Sequence, residues 1–136
     1  TRYGRRISIV GWSLGGIFAR ELAREFPTIV RQVVTLGSPF GSDYSIDGSR
    51  KPAAARRRIP PPVPCTSIYS RSDGIVSWEA CRETDGPQTE NIEVSATHIG
   101  MGFNPLVLWA LADRLAQAEN AWQPFDRSGW RGTFYG

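Results

Sequence analysis

The sequence predicts an α/β fold: a mostly parallel sheet of about four strands with flanking helices. Three observations carry this expectation. The runs "RRISIV" (5–10) and "QVVTL" (32–36) show little polar alternation, as strands covered on both faces do. The stretch between them, Leu14 to Phe26, has a helical rather than an extended period. The elements then follow one another as strand, helix, strand, irregular excursion, strand, strand, helix.

Each element has a local reason. In the first helix Leu14, Phe18 and Leu22 recur every four residues, with Ile17 and Phe26 widening the apolar stripe. Glu21 and Arg24 can pair on the wet side, and Pro27 marks the stop. After "QVVTL" the segment "GSPFGS" is a turn-rich break. Residues 41–63 run through Gly, Ser, Asp, Arg and Pro, an irregular excursion expected to form a cap or lid-like flap. "CTSIYS" (65–70) and "NIEV" (91–94) read as the third and fourth strands, with a short helical piece expected after the Asp73-Gly74 turn. The last helix opens at Asn104, a good cap, with Pro105 at its first position and Leu108, Leu111 and Leu115 on one face to about Ala121. The tail, 122–136, carries aromatics that can pack on a core. Residues 1–136 thus read as a single, partial domain.

Composition narrows the function classes. Sixteen basic residues against 13 acidic ones give a net charge of +3. Only Arg56, Arg57 and Arg58 form a dense basic cluster, and no aromatic neighbours are there to stack on bases, so no nucleic-acid partner is expected. With one histidine and no close cysteine pair, no metal is expected either. Cys65 and Cys81 read as reduced thiols. No apolar run is long enough to cross a bilayer, and "TRYGRRISIV" carries no apolar signal core.

In a parallel α/β sheet, ligands gather at the carboxyl ends of the strands. Three polar residues fall at such ends, in the order Ser13, Asp73, His98. Ser13 lies in Gly11-Trp12-Ser13-Leu14-Gly15, a Gly-x-Ser-x-Gly turn between strand and helix. Such a turn lifts the hydroxyl clear of the sheet, and its two glycines are expected to relieve close helix–strand packing. At the head of a helix, unpaired N–H groups face a developing anion, so the Leu14 N–H is the expected oxyanion donor. His98, in "SATHIGM", is the only imidazole available as general base. Asp73, in "SRSDGIVSW", can orient it, with Asp43, Glu83 and Asp85 as competitors. Acyl transfer through a covalent intermediate follows from these roles. Phe40, Ile75, Trp78 and Met101 border the site in sequence and point to an acyl or lipid-like group.

The segments "SIVGWSLGGIFARELAREFP", "VVTLGSPFG", "IYSRSDGIVSWEAC" and "THIGMGFNP" together resemble bacterial α/β-hydrolase-fold esterases and lipases, specifically their carboxyl-terminal half. The resemblance covers most of the chain. It implies Ser13 as nucleophile, Asp73 as acid, His98 as base, and hydrolysis of carboxylic esters without metal or organic cofactor. Transfer of the acyl group to another alcohol uses the same three residues. Family members place further strands, and a second oxyanion donor, before the nucleophile strand. Without them, residues 5–10 are expected to form an exposed apolar sheet edge that pairs with a second copy or with a separate amino-terminal half. One missing oxyanion donor lowers a rate by about two to three decades. The alternative expectation is therefore a catalytically incomplete half-domain that acts as an interaction module through this strand.

Overall fold

A computed structural model describes residues 2–42 and 54–136. Four strands, β1 (Ile7–Trp12), β2 (Val30–Leu36), β3 (Cys65–Tyr69) and β4 (Thr89–Glu93), form one sheet in the order β1-β2-β3-β4. All neighbours are parallel. The fold is therefore α/β, with every strand ending on the same side of the sheet. Helix α1 (Leu14–Glu25) covers one face and α3 (Pro105–Ala116) the other; α2 (Ala54–Arg58) and α4 (Arg131–Phe134) are single turns.

The two inner strands behave as their composition requires, whereas β1, read from its composition as covered on both faces, is an edge strand that buries only Gly11. Every residue of β3 is buried, as are six of the seven in β2, since both strands lie inside the sheet with a helix on each side. Ala19 and Ala23 of α1 pack on Val30, Val33, Val63 and Cys65. Val107 and Ala110 of α3 pack on Val34, Leu36, Ile68 and Ile92. Asn104 caps α3 by accepting from the N–H groups of Leu106 and Val107.

Boundaries move for identifiable reasons. β1 starts at Ile7 rather than Arg5; the Arg6 guanidinium instead donates to the carbonyls of Pro27 and Val30. β4 starts two residues earlier than "NIEV", α3 stops at Ala116, and the short helical piece is a 3-10 turn over Trp78–Cys81. Asp43 and residues 43–53 of the excursion lie outside the described residues.

The larger correction concerns which helix face is inside. The stripe Leu14, Phe18, Leu22, Phe26 is exposed, and α1 buries Gly16, Ala19, Arg20 and Ala23. In α3, Leu108 is likewise exposed while Val107, Ala110 and Arg114 are buried. Small side chains let each helix lie close on the sheet, and each buried arginine is matched: Arg20 with Glu83, Arg114 with Glu90 at 2.8 Å. Burial pushes the Glu83 carboxyl up, and the Arg20 charge beside it opposes that shift.

These arginines also explain the basic cluster. Arg20 and Arg24 donate to backbone carbonyls of Arg57 and Ile59, while Arg57 and Arg58 donate to those of Ser42 and Gly41. The root of the excursion is thereby stitched to itself and to α1. Arg57 and Arg58 are part of the stitching.

The tail completes the other face. Phe125 and Tyr135 are buried in the α3-side core, with their rings edge to face at 4.9 Å. Trp109 packs against Phe125 and Trp130. Beyond α4, Gly136 exchanges both backbone hydrogen bonds with Glu93.

Candidate active site

At the carboxyl end of β1 the chain turns sharply into α1, and Ser13 takes the strain. Its φ of 51° with ψ of −124° lies in a region that side-chain-bearing residues rarely adopt. Such a conformation costs of order 1–3 kcal/mol and persists only where its surroundings enforce it. Here they do. The Ser13 N–H donates to Leu36 O at 2.8 Å, and a Cβ at Gly11 would fall 2.4 Å from the Gly16 Cα. Strand and helix cross too closely at that point for any side chain.

The second close glycine is Gly16, not Gly15. A Cβ on Gly16 would meet Ser38 Oγ at 1.9 Å, whereas one on Gly15 would meet nothing within 4 Å. Gly15 faces open space on the exposed flank of α1.

The structure brings the three predicted residues together. The Ser13 hydroxyl lies 2.9 Å from His98 Nε2, and His98 Nδ1 lies 2.7 Å from Asp73 Oδ2. With the proton on Nδ1, the imidazole donates to the carboxylate and accepts from the serine. Asp73 is fixed by its other oxygen, which accepts from the N–H groups of Ile75 and Val76. That is the turn chemistry of an Asp-Gly pair, here used to aim a carboxylate. Asp73 and His98 are both buried, and the His98 N–H donates to Asp73 O at 3.0 Å. Of the competitors, Glu83 is taken by Arg20 and Asp85 is exposed. The Leu14 N–H sits at the first position of α1, where no acceptor within the helix exists for it.

The proposed substrate contacts divide. Ile75 is exposed beside the acid turn. Trp78 is half-buried against Tyr69 and the Arg71 guanidinium. Phe40 and Met101 are interior. Phe40 lies beneath the Arg20 guanidinium at 3.9 Å, and Met101 sits in the α3-side core under the Asp–His pair. Neither offers surface to a ligand.

Other supporting residues carry no signal in the motif itself. Gly37, at φ 53°, passes so close to the pair that a Cβ would lie 3.1 Å from Asp73 Oδ2 and 3.3 Å from His98 Nδ1. Its place just after a buried strand is the only sequence hint of this. Ser38 is fully buried and donates to Gly11 O. Ser70 Oγ accepts from the N–H groups of Ser72 and Ala96, joining the acid turn to the histidine segment.

Cys65 and Cys81 are both free thiols, and burial pushes each up to about 12. They are protonated and poorly nucleophilic at neutral pH. Among the described residues no cluster of His, Cys, Asp and Glu could hold a metal ion, and no helix is long and apolar enough to cross a membrane. No protein-family model matches the chain, and no curated protein matches it.

Proposed function

We propose that the chain is a serine hydrolase of the α/β-hydrolase type that cleaves carboxylic esters through an acyl-enzyme. The observation that carries this reading is the continuous path from the strained Ser13 through His98 to Asp73, with hydrogen bonds of 2.9 and 2.7 Å. Ser13 Oγ attacks the ester carbonyl as His98 Nε2 takes its proton. Asp73 stabilises the imidazolium and holds the tautomer that leaves Nε2 free. The negative oxygen of the tetrahedral intermediate faces the Leu14 N–H and the head of α1. Collapse expels the alkoxide, protonated by His98, and water repeats the sequence to release the acid.

The test is release of a chromogenic alcohol from acyl esters of increasing chain length. Activity lost in both Ser13→Ala and His98→Ala supports the reading. Turnover that survives Ser13→Ala overturns it.

A second reading rests on a separate observation: β1 is an edge that no strand among the described residues covers, with apolar side chains on and beside it. Ile7 and Val10 are exposed, and so are Phe18, Leu22 and Phe26 on α1. Arg20 and Arg24 point from α1 toward the segment after β2, so at about 3.6 residues per turn this flank hangs over the open edge. On this reading the chain is an interaction module that pairs through β1 with a second copy. Antiparallel pairing would set the two β1 strands ~4.8 Å apart. Because α1 lies over β1 and β2, the two α1 helices would then stand about two strand spacings, ~10 Å, apart. Packed helices have that separation. Light scattering tests it: a dimer that Phe18→Glu or Val10→Lys converts to monomer supports pairing, and a wild-type monomer contradicts it.

A further inference from the structure

Trp12 precedes the nucleophile, and its side chain reaches 86 residues along the chain. The indole Nε1–H donates to the backbone carbonyl of His98 at 3.0 Å. The indole and imidazole ring centroids are 5.5 Å apart, with the planes inclined by 35°. Yet Trp12 is nearly half exposed, at 47%, so its role in core packing is small.

We propose that Trp12 is a positioning residue for the general base. Its N–H fixes the segment carrying His98 to the turn carrying Ser13, and its ring favours the imidazolium formed when His98 takes the serine proton. The first part follows from connectivity. β1 and β4, the strand the histidine segment follows, are the two edges of the sheet, and the side-chain links between Ser13's turn and His98 are the Ser13–His98 and Trp12–His98 hydrogen bonds. The Ser13–His98 bond breaks during the reaction, while the indole bond to the carbonyl persists through it. The second part follows from the ring distance, which is within the range over which an aromatic quadrupole attracts a cation. Among the described residues, the titratable groups facing the imidazole are Asp73 and Ser13; Gly37 and Met101, on its Nδ1 side, are neutral. Loss of the indole therefore removes attraction for the charged ring without exposing a compensating charge.

This inference rests on the hydrolase reading for its kinetic consequence, but it can be read independently of activity. His98 is the sole histidine, so in the untagged chain its ring nitrogens give the only imidazole signals in a nitrogen-15 spectrum. Two variants separate the two parts. Trp12→Phe keeps an aromatic face and loses the donor; fluorophosphonate labelling of Ser13 should slow about tenfold, as expected for one lost hydrogen bond. Trp12→Leu loses both, and the imidazole nitrogen-15 signals should also pass to the neutral form at lower pH than in wild type. Trp12→Phe labelling at the wild-type rate, or Trp12→Leu titrating at the same pH as wild type, overturns the corresponding part. Wild-type chain that does not label counts against the hydrolase reading, and the titrations still decide the ring contact.

Discussion

The two edges of the sheet are treated in opposite ways. At β4, Glu93 exchanges backbone hydrogen bonds with Gly136, the Arg127 guanidinium donates to the carbonyls of Asn91 and Gly136, and Phe125 and Tyr135 close the core beneath. At β1, nothing among the described residues pairs with the outer side of the strand, and Phe18, the most exposed side chain of its flank at 61%, stands beside it. An edge without charge, proline or cover is one that proteins normally blunt. Ser13, the nucleophile on the proposed reading, sits at the end of that edge strand. In open parallel sheets, ligand crevices form between strands rather than beyond the last one, so on the hydrolase reading a chain paired at β1 would supply the wall on the far side of Ser13.

That contrast can be broken or sharpened by substitution. The largest effect belongs to the closed edge: Tyr135→Ala removes a buried ring and the hydroxyl donated to Leu106 O, and should cost about 3–5 kcal/mol in chemical denaturation. Next comes the junction of site and sheet. Gly37→Ala forces a methyl against Met101 Sδ and the Asp73–His98 pair at a φ of 53°, and should slow Ser13 labelling about a hundredfold, the scale of a misplaced catalytic group, while costing about 1–2 kcal/mol of stability. On the open side the sign reverses. Gly15→Ala places a methyl in empty space within a helix and should stabilise the monomer by roughly 0.5–1 kcal/mol. Smallest of all, Phe18→Gln should change unfolding by no more than about 0.5 kcal/mol, because that ring is exposed. A loss several times larger would mean that the flank is covered in solution.

The same contrast marks what the sequence makes legible. The positions of the parallel strands, the turn at Ser13 and the Asn104 cap are local patterns and lie close to where the residues place them, although the burial of β1 does not follow. Ser13, Asp73 and His98 could be paired because few candidates existed: one imidazole, one serine between glycines, and four carboxylates among which Asp73 follows the third strand. The orientation of α1 was not legible. A period of large apolar residues marks a stripe, but here the helix docks through Gly16, Ala19 and Ala23, and the stripe is left on the open flank. Nor does any local pattern tie Arg20 to Glu83 or Arg114 to Glu90, pairs 63 and 24 residues apart. Gly37 shows the same limit: a glycine in a turn-rich segment gives no notice that a side chain there would press on His98, far along the chain.

The most direct test of the central claim is covalent capture of Ser13. The purified chain is incubated with a fluorophosphonate, and labelling is read by intact mass and peptide mapping beside Ser13→Ala and His98→Ala. The account predicts one adduct, on Ser13, absent from the first variant and strongly slowed in the second. A folded wild-type chain that takes up no label, or labels elsewhere, would contradict it.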